Sequence, residues 1–297
     1  MGEPTFVRDG DRTILLLDGF EQSAVNLTDP TDLAFEYVAQ LALAVDTLLP
    51  PGPLRVTHVG GGGLTMARWV EHTRPGSPQI VLEPDDRLTA RVRAELPLPR
   101  RHRIRVRPEG GIEGIGALAE GSADLLILDA FEGGQVPAAL TSVEWFAEVA
   151  RVLALGGLLL ANIADERDHG YLARVAAGVR ASLGHVAAVG LHEVVKGRRF
   201  GNLILIGARR PVDLHALRVA SARRRVPTGV LGSSDLSRRH PQALPYRAAT
   251  GDLSASPSPP DPFGTRRLDV YAHRHTARSY IDPAVEASRG REGRGRR

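Results

Sequence analysis

Cysteine is absent from the 297-residue chain, which excludes a disulfide framework, a thiolate metal site and a cysteine nucleophile, and makes a reducing compartment the expected one. A long apolar run is also missing. The longest, residues 152–163, is broken by Gly156 and Gly157, short of the ~20 residues that a membrane-spanning helix needs. The first residues carry Glu3, Arg8, Asp9 and Asp11 where a secretory leader would be apolar. These absences predict a cytoplasmic protein that makes no use of a membrane. His102, His169, His185 and His192 lack metal-ligand spacing, so they read as surface or structural residues and no metal is expected.

Acidic residues are scarce at one end only. Residues 1–210 hold 22 Lys and Arg against 26 Asp and Glu, whereas residues 211–297 hold 16 against 8. The basic pI of about 9.9 therefore belongs to the tail, and nucleic-acid binding is not expected except through it. A mildly acidic body suits a cationic substrate.

What is present is 42% hydrophobic residues, enough for a sizeable core. Two short strands over 13–23 form a small β element, and three units are expected: 1–30, this β element; 31–210, the main domain; 211–297, a basic tail. A helix follows 29–32, with Leu33, Tyr37, Leu41, Ala44 and Leu48 at helical spacing. Strand signals at 55–59, 79–83, 104–107, 124–129 and 157–163 then alternate with helices starting near Leu64, Asp86, Ile112 and Thr141. Such alternation predicts a parallel, doubly wound sheet with helices on both faces. After a helix at 170–183, strands at 185–194 and 202–208 are joined by the basic turn Lys196-Gly197-Arg198-Arg199. So short a connection requires an antiparallel pair. Five parallel strands closed by an antiparallel pair make the mostly parallel, seven-stranded, Rossmann-like α/β sheet of class I S-adenosylmethionine-dependent methyltransferases. Beyond Arg210 one amphipathic helix at 214–225 is expected, followed by a largely disordered Pro/Ser/Arg-rich tail.

Three features carry chemistry. Val59-Gly60-Gly61-Gly62-Gly63 sits between a strand and a helix, where glycines let a ligand approach the backbone; without a ligand the same residues make a tight strand-to-helix turn. Thr65 stands where the third glycine of G-x-G-x-x-G would fall, which disfavours a nicotinamide cofactor. Glu83 ends the second parallel strand, placed to accept hydrogen bonds from both hydroxyls of a ribose, while Asp85 and Asp86 suit the cap of the next helix. Asp129, in Asp129-Ala130-Phe131-Glu132, ends an apolar strand. It serves either to orient an amine and take its proton or to cap a loop, and spacing does not separate the two. Trp69 and Trp145 read as core residues, and Ser142 has no base nearby in sequence.

Taken in order, Leu17-Asp-Gly-Phe-Glu-Gln22, Val59-Gly-Gly-Gly62, Val81-Leu-Glu83, Asp129-Ala-Phe-Glu132 and Leu160-Ala-Asn-Ile163 resemble the spermidine synthase family over about residues 12–208. The resemblance implies a dimeric polyamine aminopropyltransferase. Such an enzyme moves the aminopropyl group of decarboxylated S-adenosylmethionine, its co-substrate, to a diamine such as putrescine, without a metal. It also implies that Gln22, Gly60, Gly61, Gly62, Glu83 and Glu109 bind the donor, that Asp129 is catalytic and that Glu132 binds the amine. The chain departs from the pattern at Gly63, where the family has Asp, at Ala34-Phe35-Glu36, where it has Tyr-His-Glu, and at Glu132, where it has Asp. A methyltransferase of the same fold using intact S-adenosylmethionine and a non-catalytic nucleoside-binding relative are the alternatives.

Overall fold

The computed structural model describes residues 3–17 and 20–259. Asp18, Gly19 and the expected tail from residue 260 lie outside the described residues.

Strands β1 (Thr5–Asp9), β2 (Arg12–Leu17) and β3 (Phe20–Asn26) form an antiparallel meander, one strand more than the sequence suggested. Helix α1 (Glu36–Leu48) starts seven residues later than Asp29, because residues 26–32 are tied into a loop. There Asn26 Oδ1 accepts from the amides of Thr28 and Asp29, while Asp32 pairs with Arg12. From this point β4 (Val56–Val59), α2 (Thr65–Thr73), β5 (Gln79–Leu82), α3 (Asp86–Glu95), β6 (Ile104–Arg107), α4 (Gly111–Gly116), β7 (Ala123–Leu128), α5 (Val143–Val152) and β8 (Leu153–Asp165) alternate without interruption. Short side chains that compete for backbone amides start two of these helices. Asp85 caps α3 by accepting from Leu88 N at 2.9 Å, and Ser142 caps α5 by accepting from Trp145 N at 3.2 Å.

Helix α6 (Gly170–Leu183), β9 (His185–Leu191), the one-turn α7 (His192–Val195) and β10 (Gly201–Ala208) follow. Strand β10 pairs antiparallel with both β8 and β9, so the chain passes to the outside and returns between them. This is the class I methyltransferase-like arrangement, and the apolar runs explain it. Strands β7 and β10 are buried over nearly their whole length, as strands covered on both faces must be. Their two faces feed two separate cores. Leu126, Leu128 and Leu159 pack with Phe146, Val149 and Val175 on one side, and Leu125, Ile127 and Leu160 pack with Leu41, Val45 and Trp69 on the other.

Among the described residues the sheet has eight strands where seven were expected, in the order β11, β9, β10, β8, β7, β4, β5, β6. The additional strand, β11 (Thr228–Gly232), pairs antiparallel with β9. It lies in the segment read as tail, and its neighbours are folded onto the body as well. Helix α8 (Leu214–Ala222) covers α1, and α9 (Ser233–Arg239) covers α6. The boundary expected at residue 210 is therefore not a structural boundary for residues 211–259. Tyr246 is buried against Tyr171, with the Arg174 guanidinium 3.9 Å from its ring centre. Ser256, fully buried, exchanges hydrogen bonds with Val136, from Val136 N to Ser256 Oγ at 2.8 Å and from Ser256 N to Val136 O at 3.2 Å. Among the described residues no helix is long and apolar enough to cross a membrane.

Replacing Tyr246 by Ala tests that revised boundary. Loss of a buried aromatic from this contact should lower the stability of the whole domain by about 3 kcal/mol in urea denaturation. An unchanged midpoint would mean that residues 211–259 do not contribute to the folded body.

Candidate functional site

The sheet reverses its winding between β4 and β7. The chain runs from β4 outward through β5 to β6, then crosses back to lay β7 on the other side of β4. In open α/β sheets the crevice for ligands opens beyond the carboxyl ends of the strands at that reversal. Val59 pairs with Leu128, so the next residues on the two strands, Gly60 and Asp129, meet at the floor of the crevice. Their approach leaves no room for a side chain. A methyl group on Gly60, whose φ is +99°, would lie 2.2 Å from the Asp129 carbonyl oxygen. Gly61 and Gly62 continue the turn, and the Gly61 amide donates to Glu83 Oε2 at 2.8 Å.

Glu83 projects from the end of β5 into the same turn. Its other oxygen accepts from Asp85 N at 3.1 Å, so the carboxylate is held by two backbone amides. Each oxygen keeps a second lone pair for a ligand hydroxyl. Glu109 follows β6, and its Oε2 is buried without a hydrogen-bond partner. A buried acceptor left unmatched is unusual in a native fold and suits a ligand that brings a donor. Gln22 is half-buried on β3. The pairing there passes from Leu15 with Ser23 to Leu16 with Glu21, which leaves Gln22 as the extra residue of a β-bulge, a device that re-aims a side chain. Glu132 is exposed. It pairs with Gln135 across a tight turn through Gly133 and Gly134, on the loop that follows Asp129.

Asp129 has the most specific surroundings. Its Oδ1 accepts from Asn162 Nδ2 at 2.9 Å, and Asn162 Oδ1 in turn accepts from Asn202 Nδ2 at 2.9 Å. The Tyr37 hydroxyl, reaching over from α1, donates to the same carboxylate. Burial pushes the Asp129 carboxyl up to about 6 against the two hydrogen bonds, which pull it down. The Tyr37 hydroxyl is raised well above the usual tyrosine range by burial, with Asp129 the smaller cause. Asp165, at the end of β8, is also raised to about 6 by burial. Its oxygens accept from the amides of Glu166 and Leu172, which assigns it to starting α6.

Sequence reasoning placed Tyr37 on an apolar helical stripe and gave no role to Asn202. Neither has a local signal, since Tyr37 reaches Asp129 and Asn202 reaches Asn162 only through the tertiary packing of α1 and β10. At the altered positions, Phe35 stacks on Tyr37 with ring centres 5.9 Å apart, and Glu36 points to solvent. At Gly63, a side chain would meet Ser23: a Cβ there would lie 2.8 Å from Ser23 Cβ. The Ser23 hydroxyl accepts from the Gly63 amide at 2.8 Å. The missing acid and the presence of Ser23 are thus one coupled feature.

The fold is that of the class I methyltransferase-like proteins. Within this class, the chain is similar to polyamine aminopropyltransferases and to a probable spermidine synthase. The polyamine aminopropyltransferase of Chromobacterium violaceum is 27% identical over 164 residues, 52% of this chain and 59% of that protein. The chain thus matches a little under two thirds of the length of this curated relative. A probable spermidine synthase from Corynebacterium glutamicum superimposes with a TM-score of 0.76 and 29% identity, covering 82% of this chain and 92% of the other. Human methyltransferase-like protein 13, solved in complex with SAH, shares the fold at a TM-score of 0.51 and 20% identity over 65% of this chain and 95% of the other. No protein-family model matches the chain.

The raised Asp129 has a consequence for stability that can be measured. Its folded-state value of about 6 lies above the ordinary 3.8, so its contribution to folding is fully present below about 3.8 and is lost as pH rises through about 6. Above that window the charged form opposes folding by up to about 3 kcal/mol, at ~1.4 kcal/mol per pH unit. Asp129→Asn should therefore be more stable than the unaltered protein near pH 8, with the difference closing near pH 4 in urea titrations. A difference independent of pH would contradict the burial of this carboxylate.

Proposed function

We propose that the chain is a transferase of the spermidine synthase type, moving an aminopropyl group from decarboxylated S-adenosylmethionine to a diamine such as putrescine. The observation that carries this reading is a carboxylate raised toward neutrality, held by Asn162 and Tyr37, directly beside a glycine turn able to seat a nucleoside. The residues fit such a donor. Gly60 to Gly62 leave space against the backbone, Glu83 offers acceptors to a ribose, and the unmatched Glu109 Oε2 offers one to an exocyclic amine. Gln22, on its bulge, would close the donor side, and Glu132, on the exposed turn, would meet the far cationic end of the amine.

The donor supplies a carbon made electrophilic by the adjoining sulfonium. The amine nitrogen attacks that carbon with its lone pair, a C–N bond forms, and the C–S bond breaks with its electrons passing to sulfur. Methylthioadenosine leaves as a neutral thioether. The proton released by the attacking nitrogen goes to Asp129 Oδ, whose value near 6 leaves it ionised and able to accept at neutral pH. Tyr37 and Asn162 hold the carboxylate in place as the amine approaches, so most of the acceleration comes from alignment. A homodimer is part of this proposal.

One observation favours a second reading. With Ser23 occupying the space beside Gly63, no acid stands at that position to select a donor without a carboxylate, which leaves room for methyl transfer from intact S-adenosylmethionine.

Separate incubations with each donor and a mixture of diamines distinguish the two. Methylthioadenosine with an extended polyamine supports aminopropyl transfer, and S-adenosylhomocysteine from the intact donor supports the second reading. Asp129→Asn should lower kcat by about 10²-fold or more. In the unaltered enzyme the acidic limb of kcat against pH should fall near 6. Tyr37→Phe removes a hydrogen bond that lowers the Asp129 value, so the limb should move to higher pH. A limb that stays in place would separate Tyr37 from the ionisation that matters.

A further inference from the structure

A second recess lies away from the crevice, on the face of the sheet that α4 only partly covers. Helix α4 has six residues, about 9 Å at 1.5 Å per residue. It rests on the carboxyl half of the strands: a methyl group on Gly111 would lie 2.5 Å from Val59, and one on Gly114 would lie 2.7 Å from Leu82. The preceding cross-sheet row on this face is Thr57, Ile80 and Arg105, paired in register across β4, β5 and β6. The helix stops short of that row. The result is an open groove of about 670 Å³, floored by Thr57 and Ile80 and walled by Leu118 and Ala119 of the loop after α4.

The charge of this groove is of one sign. Arg55, His102, Arg103, Arg105 and Arg107 line it, and no Asp or Glu does. Arg55 is neutralised by Asp124. Arg105 and Arg107 have no ion-pair partner among the described residues, and strand alternation places both on the groove side of β6. Within the recess the Ser122 hydroxyl is buried without a hydrogen-bond partner. Strand β6 is the outer edge of the sheet, and charge on an edge also discourages pairing with other chains. Edge protection has no use for a recess of this size, for Ile80 and Leu118 within it, or for an unmatched hydroxyl.

We propose that this groove binds a phosphorylated small molecule of about nucleotide size. Arginine forks match phosphate oxygens, Ser122 adds a donor, and Ile80, Leu118 and Ala119 supply the apolar surface for the rest of the ligand. The volume falls within the ~300–1,000 Å³ of small-molecule sites, larger than a bare anion needs. This site is separate from the crevice and does not depend on which group the crevice transfers.

The test is calorimetric titration of the full chain with uridine diphosphate and, separately, inorganic pyrophosphate. Methylthioadenosine is kept in excess to fill the crevice, and its own binding is measured alone, so that failure of the transfer reading shows independently. Uridine diphosphate should saturate with Kd below about 1 mM and bind more tightly than pyrophosphate. Arg105→Glu, at an exposed and unpaired position, should weaken it at least about tenfold. Ser122→Leu, which removes the hydroxyl and fills the recess, should do the same if the charge reversal disturbs folding. Absence of saturable binding overturns the proposal, as does binding unchanged by both variants, which would place the anion on the basic tail. A single-stranded RNA bound at least about a hundredfold more tightly than uridine diphosphate, with the same dependence on Arg105, would also overturn it by making the groove a nucleic-acid surface.

Discussion

The contact on which the site depends is the approach of the Gly60 backbone to the Asp129 carbonyl at the reversal of the sheet. Two ladder hydrogen bonds fix it, from Asp129 N to Val59 O at 2.9 Å and from Gly60 N to Leu82 O at 2.9 Å. Through them the ends of β4, β5 and β7 are one rigid unit. The glycine turn, Glu83 and Asp129 are therefore positioned by main-chain geometry and not by the rotamers of long side chains. A reaction whose barrier falls chiefly through alignment needs that kind of support. A side chain at Gly60 would have to part β4 from β7, strands buried in the two main cores.

The two halves of the crevice differ in how they are built. The half around Gly60 and Glu83, where the proposed donor would sit, rests on backbone amides and glycines, and it keeps the residues that the family resemblance implies. The half proposed for the amine rests on side chains, and there the chain departs from the family pattern. Ser23 and Gly63 form one steric unit, so an acid at residue 63 would displace Ser23 and its hydrogen bond. Phe35 supplies a face on which Tyr37 stacks, and Tyr37 carries its hydroxyl to Asp129. A tyrosine thus reaches Asp129 from the early helix, two residues beyond the altered segment's Phe35.

The strands and helices of the main domain were legible because their signals are local. Short apolar runs such as 125–128, set between helical stretches, read as buried strands, Asp85 carries cap chemistry, and the glycine turn is confined to four residues. Strand β11 was not legible: it has two glycines in five residues, and only Gly232 is buried, so no alternating pattern marks it. The segment around Tyr246 and Ser256 has a linker's composition, and its order comes from contacts with Tyr171, Arg174 and Val136. Glu83 and Asp129 could be found by their place at strand ends. The roles of Tyr37 and Asn202 could not, since residues separated by more than ninety positions from Asp129 or by a whole hairpin join its network only after folding.

The partners of Asp129 also account for its acidity. Asn162 and Tyr37 are neutral donors to the carboxylate, Asn202 holds Asn162 in turn, and none brings a positive charge into contact with Asp129. Neutral hydrogen bonds offset part of the cost of burying a carboxylate, whereas an arginine in the same place would offset more and drive its value well below the usual range. The chain has arginines in abundance and uses them elsewhere to fill buried carbonyl positions: Arg68 bonds Gly63 O, Leu96 O and Pro97 O. Their exclusion from the Asp129 network leaves the carboxylate without a cationic partner, and its value stays near 6, where in the proposed reaction it would accept the amine's proton. Such a carboxylate weakens the fold at neutral pH, and under the proposed transfer its burial without a cation is intelligible as the condition for accepting a proton at that position.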